Sequence, residues 1–510
     1  MIILRIFFRN FLHLPWLTFF ILMGILSLPS ISPKAMQNAL CEYWVAPASI
    51  GNDNNPGSKS KPWATMEHAA ESIPDQGCIV WIKPGVYVGQ NSLDQRFSVP
   101  AVFKAEQAYQ AVFEHDASPL KINGGKNLVF EGFEFRHSDP NAGVIVIQVQ
   151  RSNEFWAENI TFRNNIIHDS YNNDLLKVYN GSRLVTIENN VFYNQGDNEQ
   201  QIDINSVQDV VVQDNIFFND FAGSGRVNSN NNKHFITIKD SNANEDGLLG
   251  SERITIRRNV FLNWEGGMET FLKIGNDGEP FFEAKDVMVE NNLMIGNSAN
   301  QIASAFGISG ARNVTYRNNT VVGDLPSSSY AFHVTVKQQN PQNENIFFYN
   351  NIWSDHTGTM GADLNGRPNE FSDGDPAGVS NLILDSNFYW NGGQEIPPGE
   401  LVSPTVDDAR MVTANPSLNT NYNNFVLPRW NGTTFISGSR SIREEFVRLV
   451  GKYGSLPFSS KALGLADPEF APADDILGRY RPENPSMGAY DINLANIRVL
   501  FLTLIYYMSH

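Results

Sequence analysis

Only two cysteines, Cys41 and Cys78, occur in the 510 residues. That excludes a disulfide-dense scaffold, and no cysteine pair has the spacing of a zinc site. Basic residues are also few: 37 Lys+Arg against 54 Asp+Glu leave a formal net charge of −17. Nucleic-acid binding needs lysines and arginines to neutralise phosphates, so no nucleic-acid partner is expected. Between the two ends of the chain no apolar run is long enough to span a bilayer, which excludes a multi-span membrane protein. There is no glycine-rich phosphate loop and no His-Glu-x-x-His.

What is present begins with an N-terminal targeting pattern. Met1–Asn10 carries Arg5 and Arg9 and no acid, and the uncharged apolar run Phe11–Leu28 follows. Basic then apolar is the order of an export signal. Residues 1–40 therefore read either as a cleaved signal peptide or as a retained anchor, with membrane attachment through residues 11–28. In both cases the chain is expected to be exported: secreted, periplasmic, or anchored at the cell surface, and monomeric. Outside the cytosol the even cysteine count permits one disulfide; two buried thiols are the alternative.

From Ile160 one phrase recurs: ITFRNNIIHDS, VTIENNVFYNQ, VVVQDNIFFND, ITIRRNVFLNW, VMVENNLMIGN, VTYRNNTVVGD, IFFYNNIWSDH and LILDSNFYWNG. Its last Asn falls at Asn165, Asn190, Asn215, Asn259, Asn292, Asn319, Asn351 and Asn387, at spacings of 25, 25, 44, 33, 27, 32 and 36. Short alternating strands recur in the same sense, so equivalent strands must stack in parallel as a solenoid. Parallel connections favour the right-handed coil. The fold class is thus all-β, a right-handed parallel β-helix. Asn suits one corner because it tolerates the left-handed conformation and its amide can bond the next amide along the stack. The domain reading is a β-helix over 41–395, a C-terminal capping region over 396–495 that packs on it, and an apolar tail over 496–510. Met66–Ser72 reads as an N-terminal capping helix. In SIREEFVRLVG, Ser441 and Glu444 form a capping box, with Ile442, Phe446, Leu449 and Val450 on one face.

These repeats resemble the right-handed parallel β-helix proteins of the pectate-lyase-like superfamily. The segment YWVAPASIGNDNNPGSKSKPWATMEHAAESIPDQGCIVWIKPGVYVG resembles the N-terminal module of exported β-helix proteins, including relatives of polysaccharide lyase family nine. ILGRYRPENPSMGAYD resembles the Gly-Ala-aromatic-acid closure of such chains. The resemblance implies the fold and a polysaccharide partner. It leaves the activity open, because lyases, hydrolases, epimerases and adhesins share the scaffold.

A strand precedes each Asn phrase, and alternation aligns the strands. Their middle residues, Lys121, Gln148, Lys177, Asp203, Thr237, Lys273 and Gly307, should form one outward column at about 4.8 Å per coil. A second column holds Tyr179, Asn205, Lys239 and Gly275. Long connections at 222–234, 241–252 and 276–285 border this face, as the walls of a binding cleft do. Lyases of the superfamily abstract the proton α to a uronate carboxylate, using a base and a cation. The candidate bases are Lys273, Lys239 and Lys177. Asp203, one coil away, should pair with Lys177 and make it a poor base. Mutual repulsion between Lys239 and Lys273, about 7–8 Å apart, should lower the pKa of both. Thr237, Asn205, Tyr179 and Phe281 are candidate substrate contacts, with Phe282, Trp264 and Trp156 as further aromatic faces. Asp203, Asp240 and Asp277 are candidate calcium ligands. His168-Asp169 reads as a turn cap rather than a metal site. Asp407-Asp408 and Asp474-Asp475 lie outside the coils. Two functions follow: a calcium-assisted lyase acting by β-elimination on an acidic glycan, or a non-catalytic glycan-binding or cell-envelope protein.

Overall fold

The computed structural model describes residues 41–492, apart from 299, 324, 326–327 and 363–368. Residues 1–40, with the apolar run 11–28, and the tail 496–510 lie outside the described residues. Among the described residues no helix is long and apolar enough to cross a membrane.

Alternation in the repeat builds the coil. In Ile160-Thr-Phe162, Val185-Thr-Ile187 and Val210-Val-Val212 the outer two side chains are fully buried and the middle one points away from the core. Equivalent residues pair across neighbouring coils in parallel register, Ile160 with Val185 and Val185 with Val210. The strands form three parallel rows, two of them joined into one sheet through the long strands Leu176–Glu188 and Ile202–Gln213. The architecture is the all-β parallel β-helix expected from the repeat. Its interior is filled by stacked rings, such as Phe192 on Phe217 and Phe217 on Phe261, with centroids 5.1 and 4.9 Å apart.

All eight repeat asparagines are fully buried. Each side-chain amide donates to the Oδ1 of the next: Asn165 to Asn190 at 3.1 Å, Asn190 to Asn215 at 3.1 Å, Asn215 to Asn259 at 3.1 Å, and so on to Asn387. The last, Asn387, donates to Asp408 at 2.9 Å. The ladder asparagines are not the left-handed residues. That conformation falls one position earlier, at Asn164, Asn189, Asp214, Arg258, Asn291, Asn318, Asn350 and Ser386, with φ between 50° and 58°. The turn is made by one residue and the ladder by the next, which frees the ladder amide to point inward.

Cys41 and Cys78 form a disulfide, with Cα atoms 4.7 Å apart. It ties the first strand to the second coil and contributes about 3–4 kcal/mol in the chain-entropy account. The helix Met66–Ser72 sets Met66, Ala69 and Ala70 into the core beside the first strands. Beyond Asn391 the chain adds one short strand, Val412–Thr413, in parallel to Phe388–Asn391 and then leaves the coil. The helix Ile442–Leu449 is N-capped by Ser441, whose hydroxyl accepts from Glu444 N–H at 3.2 Å. Ile442, Phe446, Leu449 and Val450 join one buried cluster with Ile216, Leu293 and Ile352, outward residues of the third row. That row is apolar outside as well as inside, which is why the C-terminal segment covers it and leaves the lysine-bearing row to other uses.

Candidate functional site

The strand register brings the expected column together. Ser92, Lys121, Gln148, Lys177, Asp203, Thr237, Lys273 and Gly307 are successive partners in one row, and His333 and Asp373 continue it. Tyr179, Asn205 and Lys239 are likewise in register two residues further on. The column is less open than a bare strand face. Asp203 is 1% exposed, Thr237 0% and Lys273 7%.

Charge along the column is divided unequally. Lys177 Nζ lies 2.7 Å from Asp203 Oδ2. Burial disfavours the ammonium, but Asp203 and Asp174 outweigh it and raise the Lys177 pKa. Lys239 lies 3.3 Å from Asp277. Burial again works against its charge, yet Asp203, Asp277 and Asp174 hold its pKa above the ordinary value. This corrects the expectation of a depressed Lys239: its nearest charges are acidic, and Lys273 is not the dominant neighbour. Asp174 and Glu199 share a hydrogen bond, and burial followed by Asp203 raises both.

Lys273 differs from both. No carboxylate lies within ion-pair distance of it among the described residues, and its hydrogen-bond partner is His333, with Nζ and Nε2 3.2 Å apart. Burial, and then the Lys337 ammonium, push its pKa down to about 8 against the weaker pull of Glu269 and Glu283. The repelling cation is therefore Lys337, not Lys239. His333 stays neutral, its pKa driven well below the usual value by burial, then by Lys273 and His234. Thr237 Oγ1 and Asp203 Oδ1, which neighbour Lys273 along the row, are buried without a hydrogen-bond partner. Unpaired buried polar atoms in one line cost stability unless something else meets them.

Tyr179 donates its hydroxyl to Gln148 at 3.0 Å and has the Lys177 ammonium 5.4 Å from its ring centre. Asn205 is committed to Ser241, donating to its hydroxyl at 2.6 Å and accepting from its N–H at 3.0 Å. Phe281 and Phe282 are half-buried, and Arg312 stands 4.9 Å over the Phe282 ring. Trp264 is fully buried against Phe235 and Phe271, so it offers no face to a sugar. Trp156 carries the Arg183 guanidinium at 4.7 Å.

The three aspartates put forward for calcium do not converge. Asp203 faces Lys177, and Asp277 faces Lys239. Asp240 accepts from the backbone of Gly250 at 2.7 Å and Asn242 at 3.0 Å, and burial lifts its pKa to about 6. Among the described residues no three His, Cys, Asp or Glu side chains gather as a metal site. Asp203, Asp240 and Asp277 thus do not form one donor set for a calcium ion.

His168 is more than a turn cap. It is buried between Asp169 at 2.7 Å and Glu134 at 3.2 Å. Burial opposes its charge, but those carboxylates raise its pKa to about 9. With Arg136, Tyr193 and Trp430 it lines a cavity of about 530 Å³ under the C-terminal segment, on the third row. There the charges are matched: Arg136 with Glu114 and Glu134, Arg429 with Asp220. Its cations, unlike Lys273, each face a carboxylate. His333, Lys337, Asp174 and Glu199 were not among the sequence candidates. His333 carried a legible signal, since Phe332-His333-Val334 has the same apolar–polar–apolar form as the strands before it.

Fold and column together define a parallel β-helix protein with a lysine-bearing strand row bordered by long loops. Among solved structures, pectate lyase Pel9A is similar to this chain with a TM-score of 0.52 and 16% identity, covering 89% of this chain and 96% of that one. The GH136 lacto-N-biosidase from Eubacterium ramulus is similar with a TM-score of 0.49 and 12% identity, over 73% and 67% of the two chains. A rhamnogalacturonan lyase is similar with a TM-score of 0.40 and 11% identity, over 82% and 97%. At these identities the likeness is one of fold. No protein-family model matches the chain, and no curated protein matches it.

Proposed function

We propose that the protein is an exported glycan-active enzyme that cleaves an acidic polysaccharide by β-elimination, with Lys273 as the base. The observation that carries this reading is Lys273 itself: a buried amine, unpaired with acid, held near pH 8 beside a second cation. A base works best with its pKa near the working pH, and burial is how a lysine is brought there. In the reaction the Nζ lone pair takes the proton α to the uronate carboxylate. The C–H electron pair becomes the new double bond, the C–O bond breaks, and the departing oxygen takes a proton from water. Positive charge near the carboxylate lowers the barrier, because the transition state is enolate-like. Lys337, which makes no ion pair among the described residues, is the group suited to that task. Lys177 and Lys239 are already neutralised, and they support binding rather than chemistry. Tyr179, with Phe281 on the bordering loop, is the remaining proposed substrate contact; Thr237, fully buried, lies behind the binding face.

Export is supported by the N-terminal basic–apolar pattern and by the Cys41–Cys78 disulfide, which persists in oxidising compartments. The activity test is incubation with pectate, alginate and glycosaminoglycans, following the ultraviolet absorbance of the unsaturated product. Binding to one of these glycans without an unsaturated product would favour the non-catalytic reading.

A further inference from the structure

Lys273, Gly307 and His333 follow one another along the row. Two strand steps separate Lys273 from His333, about 10 Å between backbones, yet their side-chain nitrogens stand 3.2 Å apart. Glycine in between makes this contact possible. A Cβ at Gly307 would come within 2.6 Å of His333 Nε2 and 2.9 Å of Thr270 Cγ2. The space left by that missing side chain is where the two nitrogens meet. The imidazole is the amine's one hydrogen-bond partner among the described residues. Other charged and titratable groups surround the pair. Lys337, Glu269 and Glu283 act on Lys273, His234 acts on His333, and Asp373 follows His333 in the row.

We propose that His333 is the positioning residue of the base: its Nε2 accepts an N–H from the neutral Lys273 amine, fixing the amine's rotation so that the lone pair faces the substrate, and Gly307 is there to let it do so. This rests on Lys273 being the base. The tautomer is decisive. If Nε2 instead carried the proton, it would donate to the lone pair and block it. The two arrangements differ in sign. An acceptor on Nζ–H favours the ammonium more than the amine, so its loss lowers the lysine titration. A donor favours the amine, so its loss raises it.

The test uses the full chain with His333→Leu, His333→Gln, Gly307→Ala and Lys273→Ala, each checked for a single cooperative thermal transition. Lys273 is titrated directly, by competitive acetylation with acetic anhydride across pH and peptide mass spectrometry. We expect His333→Leu and Gly307→Ala to move its midpoint down by about one pH unit, and His333→Gln, whose Oε1 can accept, to restore it. On polygalacturonate, His333→Leu should lower kcat about 10²-fold with KM little changed, as misplacement of a reacting group does, and His333→Gln should recover most of that loss. An unmoved or raised midpoint in His333→Leu overturns the proposal, and so does full kcat in that variant. Activity retained in Lys273→Ala would instead overturn the base assignment. The titration still decides the His333 bond in that case, and also if polygalacturonate is not cleaved.

Discussion

Replacing Lys273 with methionine removes a charge that the fold holds at a cost. The unfolded chain binds this proton up to about pH 10.5, the folded protein only up to about 8. Between those values the unfolded state carries more protons, so stability falls as the pH drops through the window. The penalty is absent above about 10.5 and complete below about 8, where a shift of this size corresponds to roughly 3 kcal/mol. Lys273 is only 7% exposed, so solvent screening does little to reduce it. Methionine has a similar length and no charge, and it fits an apolar setting. Lys273→Met should therefore be more stable than the parent by about 3 kcal/mol at pH 7, and the advantage should vanish as the pH approaches 10.5. Urea unfolding of both proteins at pH values from 7 to 10.5 measures the difference, and the comparison cancels the titration of groups that Lys273 does not touch. Equal or lower stability of Lys273→Met at pH 7 would refute the reasoning. So would an advantage that does not change with pH.

Asn215→Leu removes an Oδ1 that accepts from Asn190 N–H and Nδ2, and an Nδ2 that donates to Asn259 and to Ile187 C=O; the loss of several buried hydrogen bonds should cost about 3 kcal/mol or more, visible as a lower urea midpoint. Lys177→Ala strands the buried Asp203 and should cost about 3–5 kcal/mol, with kcat of the folded protein little changed, as thermal melts and turnover rates will show. Activity should survive a chelator, because Lys177 and Lys239 already occupy Asp203 and Asp277, and Asp240 is held by the backbone N–H groups of Asn242 and Gly250; an assay with and without excess EDTA checks this.

Much of the site's backbone geometry was legible in the sequence, and so was the Lys177–Asp203 pair, whereas the pairing of Lys239 with Asp277 and the part of Lys337 were not. Alternation fixes which residue of Leu272-Lys273-Ile274 points away from the core, and the repeat fixes its neighbours, so the column from Lys121 to Gly307 is read in register. The same rule applied to Phe332-His333-Val334 adds His333, the residue that touches Lys273. Partners on loops follow no such rule. Asp277 meets Lys239 only because Glu283 gathers the N–H groups of residues 276–279 around its carboxylate. The Lys337 segment is set in part by backbone contact with that loop, where Gln339 N–H donates to Gly278 C=O at 3.1 Å. These contacts reach across two coils, and nothing periodic announces them. Burial of the column was also invisible, since long side chains of the row reach across to one another, as Lys177 does to Asp203 and His333 to Lys273.

The central claim is that Lys273 acts as a neutral base, and the pH dependence of kcat/KM for unsaturated-product formation tests it most directly. The account predicts that the parent protein's kcat/KM rises with pH through a midpoint near 8 and then levels, and that Lys273→Ala forms no unsaturated product at any pH. A profile that is flat or falls across this range, or a Lys273→Ala variant that still eliminates, would contradict it.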